Sequence, residues 1–368
     1  MARQYTVLQL ITPHRFGGAE RVAANLSHQL IAMGHRVVVA GPPREPLFLE
    51  YLSKLGVPFE PLDIAGKINP WAVGRICNLA KRLKADLIHT HLSSASLHGI
   101  AAAMRLGIPS IGHVHSMNSP RWYRGATAVI ACTHGVANHL ARQGLRAHDL
   151  RVIYNGIPTQ PFGHLRQPAE VRKEFGLQRT ERAVGITAAL VWRKGHRYLI
   201  EAMAHLRPRW PHLRCLVIGS GRNLAALRAL ASRLKVHDKV LFLGWRSDVL
   251  DLMQLLDVLT LPSTEIEGFG LCIVEAAFVG VPTVASRLPG VDEAVLDGQT
   301  GLLVPPKDSV ALAEAIERLL EDDGLRRKLG EAARARAREV FTAERMAREV
   351  ETLYHELLSR PRSQPARA

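Results

Sequence analysis

Apolar residues recur along this chain at two periods, and the two alternate. Short β-branched runs occupy 5–11, 36–40, 86–90, 110–113, 128–132 and 151–154, with helical patterns between most of them, as at 19–33 and 70–84. Continuous apolar runs joined by helix-period segments predict βαβ units around a parallel sheet. A stretch rich in Pro, Gln and charge at 158–182 reads as a linker, after which the rhythm restarts. Strands are expected at 183–190, 213–218, 240–243, 258–261, 283–285 and 301–304. Helices are expected at 198–206, 223–234, 249–255, 272–279 and 309–322. Two Rossmann-like halves of roughly 160 residues fit better than one giant sheet. The expected division is 1–160, 161–340, and a terminal piece 341–368 that is an Arg-rich helix followed by a disordered basic tail.

Composition narrows the class. With 368 residues, 47% hydrophobic and 22% charged, the chain has the profile of a globular protein of two domains. No charge-free apolar run reaches the roughly 18 residues of a spanning helix. The first strand and its turn, broken by Gln9 and His14, do not read as a secretory leader. Cys77, Cys132, Cys215 and Cys272 lie far apart with no CxxC, so reduced thiols and a cytoplasmic setting are expected.

The net charge of +15 is unevenly placed. Residues 1–160 carry 17 Lys/Arg against 7 Asp/Glu, residues 161–323 carry 20 against 20, and residues 324–368 carry 11 against 6. An anionic partner would therefore be met on one side. With 5% aromatics and no RRM, KH or zinc-finger pattern, nucleic acid is not the expected partner.

Four short segments carry candidate chemistry. Gly17-Gly18-Ala19-Glu20 opens the first helix after the first strand, where backbone N–H groups can approach an anion. Gly219-Ser220-Gly221 repeats that arrangement in the second half; a ligand-free turn explains either equally well. The first is not GxGxxG and lacks the Lys-Ser/Thr of a P-loop, which disfavours NAD and ATP. Trp192-Arg193-Lys194-Gly195 places two cations before a helix, against its dipole, unless an anion such as a nucleotide diphosphate lies between. Glu267 and Glu275 bracket a Gly-rich turn and a helix start. Eight residues of helix span about 12 Å, too far for the carboxylate pair of a retaining hydrolase, so holding two ends of one long ligand is the better reading. A turn acid plus a solvated helix acid is the bland alternative, but Ile273-Val274-Glu275-Ala276-Ala277 is a costly setting for an unpaired carboxylate. His89, His91, His98 and His113 cluster on two predicted strands. With no Cys or carboxylate at ligand spacing, zinc is not expected.

Glu267-Gly-Phe-Gly-Leu-Cys-Ile-Val-Glu275 resembles the E-x7-E signature of retaining, nucleotide-sugar-dependent glycosyltransferases of family 4. The likeness runs in order through Gly17-Gly18, Ile108-Pro109, His115, 152–157, Lys194-Gly195, 241–245, 257–263, Gly290-Val291 and 297–305. It implies an α/β GT-B fold: two Rossmann-like parallel-sheet domains facing a cleft, with the C-terminal helix crossing back to the N-terminal domain. It also implies roles. Glu275 would hold the donor ribose. Glu267, with the backbone of Gly268, Phe269, Gly270 and Leu271, would hold the donor sugar. Lys194 and the Gly17-Gly18 backbone would neutralise the diphosphate, with Gly219 and Gly221 on the donor side and His115 beside the sugar. No bound metal or other cofactor is implied. Ala189 stands where the family usually has Arg, leaving Arg193 as the second cation.

The expected function is thus retaining, metal-independent transfer of a sugar from a nucleotide sugar, UDP by base rate, to a glycan or lipid-linked acceptor in lipopolysaccharide, exopolysaccharide or other cell-envelope synthesis. Arg121, Trp122, Tyr123 and Arg124 interleave aromatics with cations and suit an anionic membrane surface at the inner face. A nucleotide-sugar epimerase of similar two-domain shape is the alternative; it would act without an acceptor.

Overall fold

In the computed structural model, residues 3–67 and 69–359 are described. Of the tail expected to be disordered, 359–368, Ser359 closes the last helix and 360–368 lie outside the described residues. The chain forms two compact units, Met1–Pro158 with Phe341–Ala368, and Thr159–Val340.

The first unit is built on seven strands: β1 (Thr6–Ile11), β2 (Arg36–Gly41), β3 (Phe59–Pro61), β4 (Leu87–His91), β5 (Ser110–Val114), β6 (Ala128–Ala131) and β7 (Leu150–Val152). Their order is β3-β2-β1-β4-β5-β6-β7, with every pairing parallel. Val7, Leu8, Leu10, Ile11, Val39 and Ile88 are fully buried, as strands covered by helices on both faces require. β3 escapes the hydrophobic pattern because it is three residues long and lies at the sheet edge, where Pro61 forfeits no ladder bond.

The second unit holds β8 (Ala183–Thr187), β9 (Arg214–Ile218), β10 (Val240–Gly244), β11 (Val258–Leu261), β12 (Thr283–Ser286) and β13 (Gly301–Val304). Their order, β10-β9-β8-β11-β12-β13, is again all parallel. Each sheet is wound outward from its first strand in both directions, so each has one point where the crossover direction reverses. That point lies between β1 and β4 in the first unit and between β8 and β11 in the second, and loops leaving the strand ends there form the natural ligand crevice.

The stretch 158–182 is not a linker. It contains a 3₁₀ turn (Gln160–Gly163) and a helix (Pro168–Glu174), and Val171 and Leu177 are buried in the core of the second unit with Leu252 and Leu256. Its charge belongs to ion pairs: Arg166 binds Glu174, Asp248 and Asp251 at 2.9, 3.1 and 3.0 Å. The last helix, Ala343–Ser359, belongs to the first unit and packs on the helix Gly18–Ala32. It is anchored by His35 Nε2 to Glu351 at 2.9 Å and Tyr354 Oη to His89 Nδ1 at 2.6 Å. No described helix is long and apolar enough to cross a membrane.

Candidate functional site

At the reversal point of the second sheet, two loops meet. The chain leaving β8 turns through the 3₁₀ segment Trp192–Lys194 into the helix His196–Leu206. The chain leaving β11 runs from Pro262 to Gly270, which caps the helix Leu271–Phe278. They are joined by Thr264 N–H donating to the Arg193 carbonyl at 2.9 Å. Gly195 makes the approach feasible: its φ is +72°, and a Cβ there would lie 1.6 Å from the Pro262 carbonyl oxygen.

Glu267 is the centre of this junction. Its Oε1 accepts from Lys194 Nζ at 2.7 Å and Ser263 Oγ at 2.6 Å, and Arg193 Nη1 stands 3.6 Å away. Glu267 is 5% exposed and Glu275 2%. Burying a carboxylate is costly without such partners. Two expectations change here. The cations before the helix do not wait for an external anion, because Glu267 supplies one within the fold. Glu267 also precedes the helix, so Glu275 is separated from Leu271 by only about 6 Å of helical rise. Ser263 is a partner that the sequence alone did not single out.

Two neighbours are set by the same burial. His196 is 2% exposed; burial and then the Lys194 charge lower its pKa to about 4, opposed by the Ala188 backbone. Burial raises the Cys272 thiol to about 12, which removes it as a nucleophile at neutral pH.

The other glycine segments are more committed than expected. Gly17 N–H donates to Glu20 Oε2 at 3.2 Å, the N3 half of a capping box that glycine cannot complete, so a carboxylate of the chain itself sits where an anion was anticipated. Burial raises the pKa of Glu20, with the Gly17 bond opposing. Gly219 N–H donates to the Gly244 carbonyl at 2.7 Å, and a Cβ at Gly219 would lie 2.1 Å from the Ala188 carbonyl oxygen. Gly219 and Gly221 therefore pack the β8 and β9 loops together.

In the first unit, the carboxyl ends of β4 and β5 carry a ladder of imidazoles. The register pairs His91 with His113, and the side-chain period of two puts His89 and His91 on one face, with His113 and His115 beside them. Ring centroids are 4.7 Å apart for His89–His91, 5.2 Å for His91–His115 and 4.4 Å for His113–His115, all stacked. Gln9 Oε1 stands 2.8 Å from His91 Nε2, and His91 Nδ1 stands 2.9 Å from His115 Nε2, so the Gln9 amide and the tautomers of both rings are coupled. On the other side, Tyr354 Oη lies 2.6 Å from His89 Nδ1, and His89 Nε2 lies 3.3 Å from His113 Nδ1. Burial, reinforced by neighbouring rings, pushes His89, His91 and His113 well below the usual imidazole range. Burial takes His115 to about 4, opposed by the Asn155 amide.

His89, His91 and His113 are the one group of His, Cys, Asp or Glu among the described residues dense enough to suggest a metal. Five of their six ring nitrogens already hold one another, His115, Gln9 or Tyr354. His98 lies apart from this stack.

The segment Arg121-Trp122-Tyr123-Arg124 divides. Arg121 and Arg124 are exposed and Trp122 half-buried. Tyr123 is 1% exposed, its ring against Gly112 and its hydroxyl accepting from Asn118 Nδ2 at 3.1 Å. Burial raises that phenol to about 12. Tyr123 is thus a core anchor and not an interfacial aromatic.

Comparison with known proteins agrees with this layout. The family described as Glycosyl transferases group 1 matches residues 168–336, and the one described as Glycosyltransferase Family 4 matches 16–161. The N-acetyl-alpha-D-glucosaminyl L-malate synthase of Bacillus anthracis is 25% identical over 93% of this chain and 94% of its own. A D-inositol 3-phosphate glycosyltransferase of Corynebacterium urealyticum is 33% identical over 61% of this chain and 55% of its own. Among solved structures, HepE of Anabaena in complex with UDP superposes with a TM-score of 0.86 at 26% identity, covering 96% of this chain and all of that one.

Proposed function

This chain belongs to the group 1 glycosyltransferases, family 4, with the GT-B fold, and from that premise we propose that it transfers a sugar from a UDP-sugar to a glycan or lipid-linked acceptor of the cell envelope, with retention of anomeric configuration and without a metal ion. The observation that carries the reading is the convergence of Lys194, Arg193 and Ser263 on Glu267 at the reversal point of the second sheet, next to the helix that bears Glu275. UDP as the nucleotide is supported by the complex of HepE, and a sugar-nucleotide donor by the company of transferases among the relatives.

In this reading the second unit holds the donor. Lys194 spends one of its three N–H donors on Glu267, leaving two for the diphosphate. Arg193 adds a second, more exposed cation where the family's usual arginine is replaced by Ala189. Charge building on the departing diphosphate meets fixed cations and a helix start in place of water. Glu267 accepts from the sugar, the backbone N–H groups of Gly268, Phe269, Gly270 and Leu271 donate to it, and Glu275 accepts from the ribose hydroxyls. His115 and the Gly17-Gly18 turn belong to the first unit, which we propose holds the acceptor. Arg121, Trp122 and Arg124, with Trp71 at 71% exposure, form the face proposed to meet an anionic membrane surface at the inner leaflet.

Thermal-shift titration with UDP, GDP and ADP tests the donor, with stabilisation by UDP expected to exceed the others. Radiolabelled UDP-sugar supplied with extracted envelope lipids or glycans tests transfer. Isomerised sugar in the absence of any acceptor would overturn the transferase reading in favour of an epimerase.

A further inference from the structure

On the first unit, the loop after β3 and the helices Ala72–Leu83 and Ser93–Leu106 border a shallow, open groove of about 430 Å³. Pro70, Val73, Leu97 and Ala101 make its walls apolar, while Lys67 and His98 are its ionisable groups. Lys67 reaches from the groove to the indole of Trp122, its Nζ 4.5 Å from the ring centroid, and Arg121 Cζ lies 4.2 Å from the same centroid.

Two cations held on one ring repel each other, and an indole face offsets only part of that cost. The carboxylates of the same segment are already taken: Asp63 by Arg75 at 3.1 Å and Arg44 at 3.8 Å, Glu60 by Arg82 at 3.0 Å. The pair on Trp122, exposed and solvated, therefore gains from an arriving anion that relieves its repulsion. His98, 5% exposed, also lines the groove. Burial lowers its pKa, so it meets a ligand as a neutral ring able to exchange a hydrogen bond with a hydroxyl.

We propose that this groove is an acceptor subsite for a single amphiphile bearing a phosphate. The hydrocarbon lies against Pro70, Val73, Leu97 and Ala101, the phosphate oxygens face Lys67 and Arg121 beside Trp122, and a hydroxyl meets His98. An apolar trough that opens on unneutralised cations fits neither a free sugar nor a bare phosphate as well as it fits both ends of one molecule. The inference rests on the transferase reading for its biological sense, since it names the acceptor as lipid-linked and phosphorylated.

Calorimetric titration of the full chain with decyl phosphate below its micelle concentration tests it, with inorganic phosphate, decyl maltoside and UDP as parallel probes. Decyl phosphate is expected to bind about tenfold or more tighter than either inorganic phosphate or decyl maltoside. Lys67→Ala and Arg121→Ala should each weaken it about tenfold, leave decyl maltoside unchanged, and leave UDP binding unchanged. Equal affinity for decyl phosphate and decyl maltoside overturns the proposal, as does wild-type affinity in both variants. Binding to phosphatidylglycerol vesicles without binding to monomeric decyl phosphate also overturns it, in favour of a diffuse membrane contact. If decyl phosphate binds as expected while UDP does not, the subsite stands and the donor reading falls.

Discussion

Lys194 and Glu267, 73 residues apart in sequence, form a 2.7 Å ion pair between the loops that leave β8 and β11. Neither residue would be kept in this way by stability alone. A buried ion pair gains little over an apolar pair of the same shape, whereas losing one partner strands the other charge. The pair thus holds a cation and a carboxylate in register at the crevice end of the sheet.

Lys194→Met is expected to lower kcat/KM, with donor well below saturation, by about 10- to 150-fold, the equivalent of a charge-assisted hydrogen bond of roughly 1.5–3 kcal/mol. Glu267 would retain Ser263 and the more distant Arg193, so the protein should fold, with a lowered thermal midpoint. Steady-state kinetics beside a melting curve checks both. Unchanged kcat/KM in a folded variant would remove Lys194 from the donor site.

The closeness of those loops depends on Gly195. Alanine in the left-handed region costs about 1–2 kcal/mol, and here its Cβ would also overlap the Pro262 carbonyl at 1.6 Å. Gly144 is the control: its φ is +89°, but nothing lies within 4 Å of a Cβ there. In urea unfolding, Gly144→Ala is expected to lose about 1 kcal/mol and Gly195→Ala at least about 3. Equal losses would mean that the β8 and β11 loops separate freely.

Much of this was legible in the sequence, for a definable reason. Parallel strands buried on both faces leave continuous apolar runs, so twelve of the thirteen strands announce themselves; β3 does not, being short and at an edge. Lys194, Glu267 and Glu275 could be singled out from glycine turns at helix starts, and the family resemblance supplied roles for them. Their joint geometry could not be read, because it arises where the winding of the sheet reverses. The imidazole ladder was half visible. Spacing by two places His89 with His91, but the register that sets His91 against His113, and the arrival of Gln9 and Tyr354 from distant segments, exist only in the fold. Tyr123 misled because Arg, Trp and Arg surround it in sequence, while the space beside Gly112 draws its ring inward. At 158–182, ion pairing within the fold mimicked the composition of a solvated linker.

The Gln9–His91–His115 chain sets a tautomer. Turning the Gln9 amide over would put the His115 proton on Nδ1; with Oε1 accepting from His91, His115 carries its proton on Nε2 and leaves Nδ1 bare. Ring ¹⁵N shifts of histidine-labelled protein, with His115→Gln to assign the signal, should show that tautomer in the wild type. Gln9→Met keeps the volume but removes the acceptor, and should convert His115 to a mixture; Gln9→Glu restores an acceptor and should restore the pure form. A single unchanged tautomer in Gln9→Met would show that the chain does not set it.

Acid sensitivity follows from histidines buried as neutral rings. His196 has a native pKa of about 4 because of burial and the Lys194 charge; in the unfolded chain it titrates near 6.5. Between those values the unfolded state binds the extra proton, so stability rises with pH there: the contribution is complete above about pH 7 and is lost as pH falls from about 6.5 towards 4. One such ring costs about 1.5 kcal/mol between pH 6.5 and 5, a window above the titration of the carboxylates. His115, also near 4, acts in the same direction in the first unit. Urea unfolding at pH 6.5, 6.0, 5.5 and 5.0 should show this decline, and His196→Leu should flatten the curve of the second unit by one ring's share, whatever its effect on absolute stability. The slope is the decisive quantity, because a change of packing shifts the curve without tilting it. An unaltered slope in His196→Leu would mean that His196 is protonated in the native protein at pH 5, and that the Lys194–Glu267 pair tolerates a second positive charge beside it.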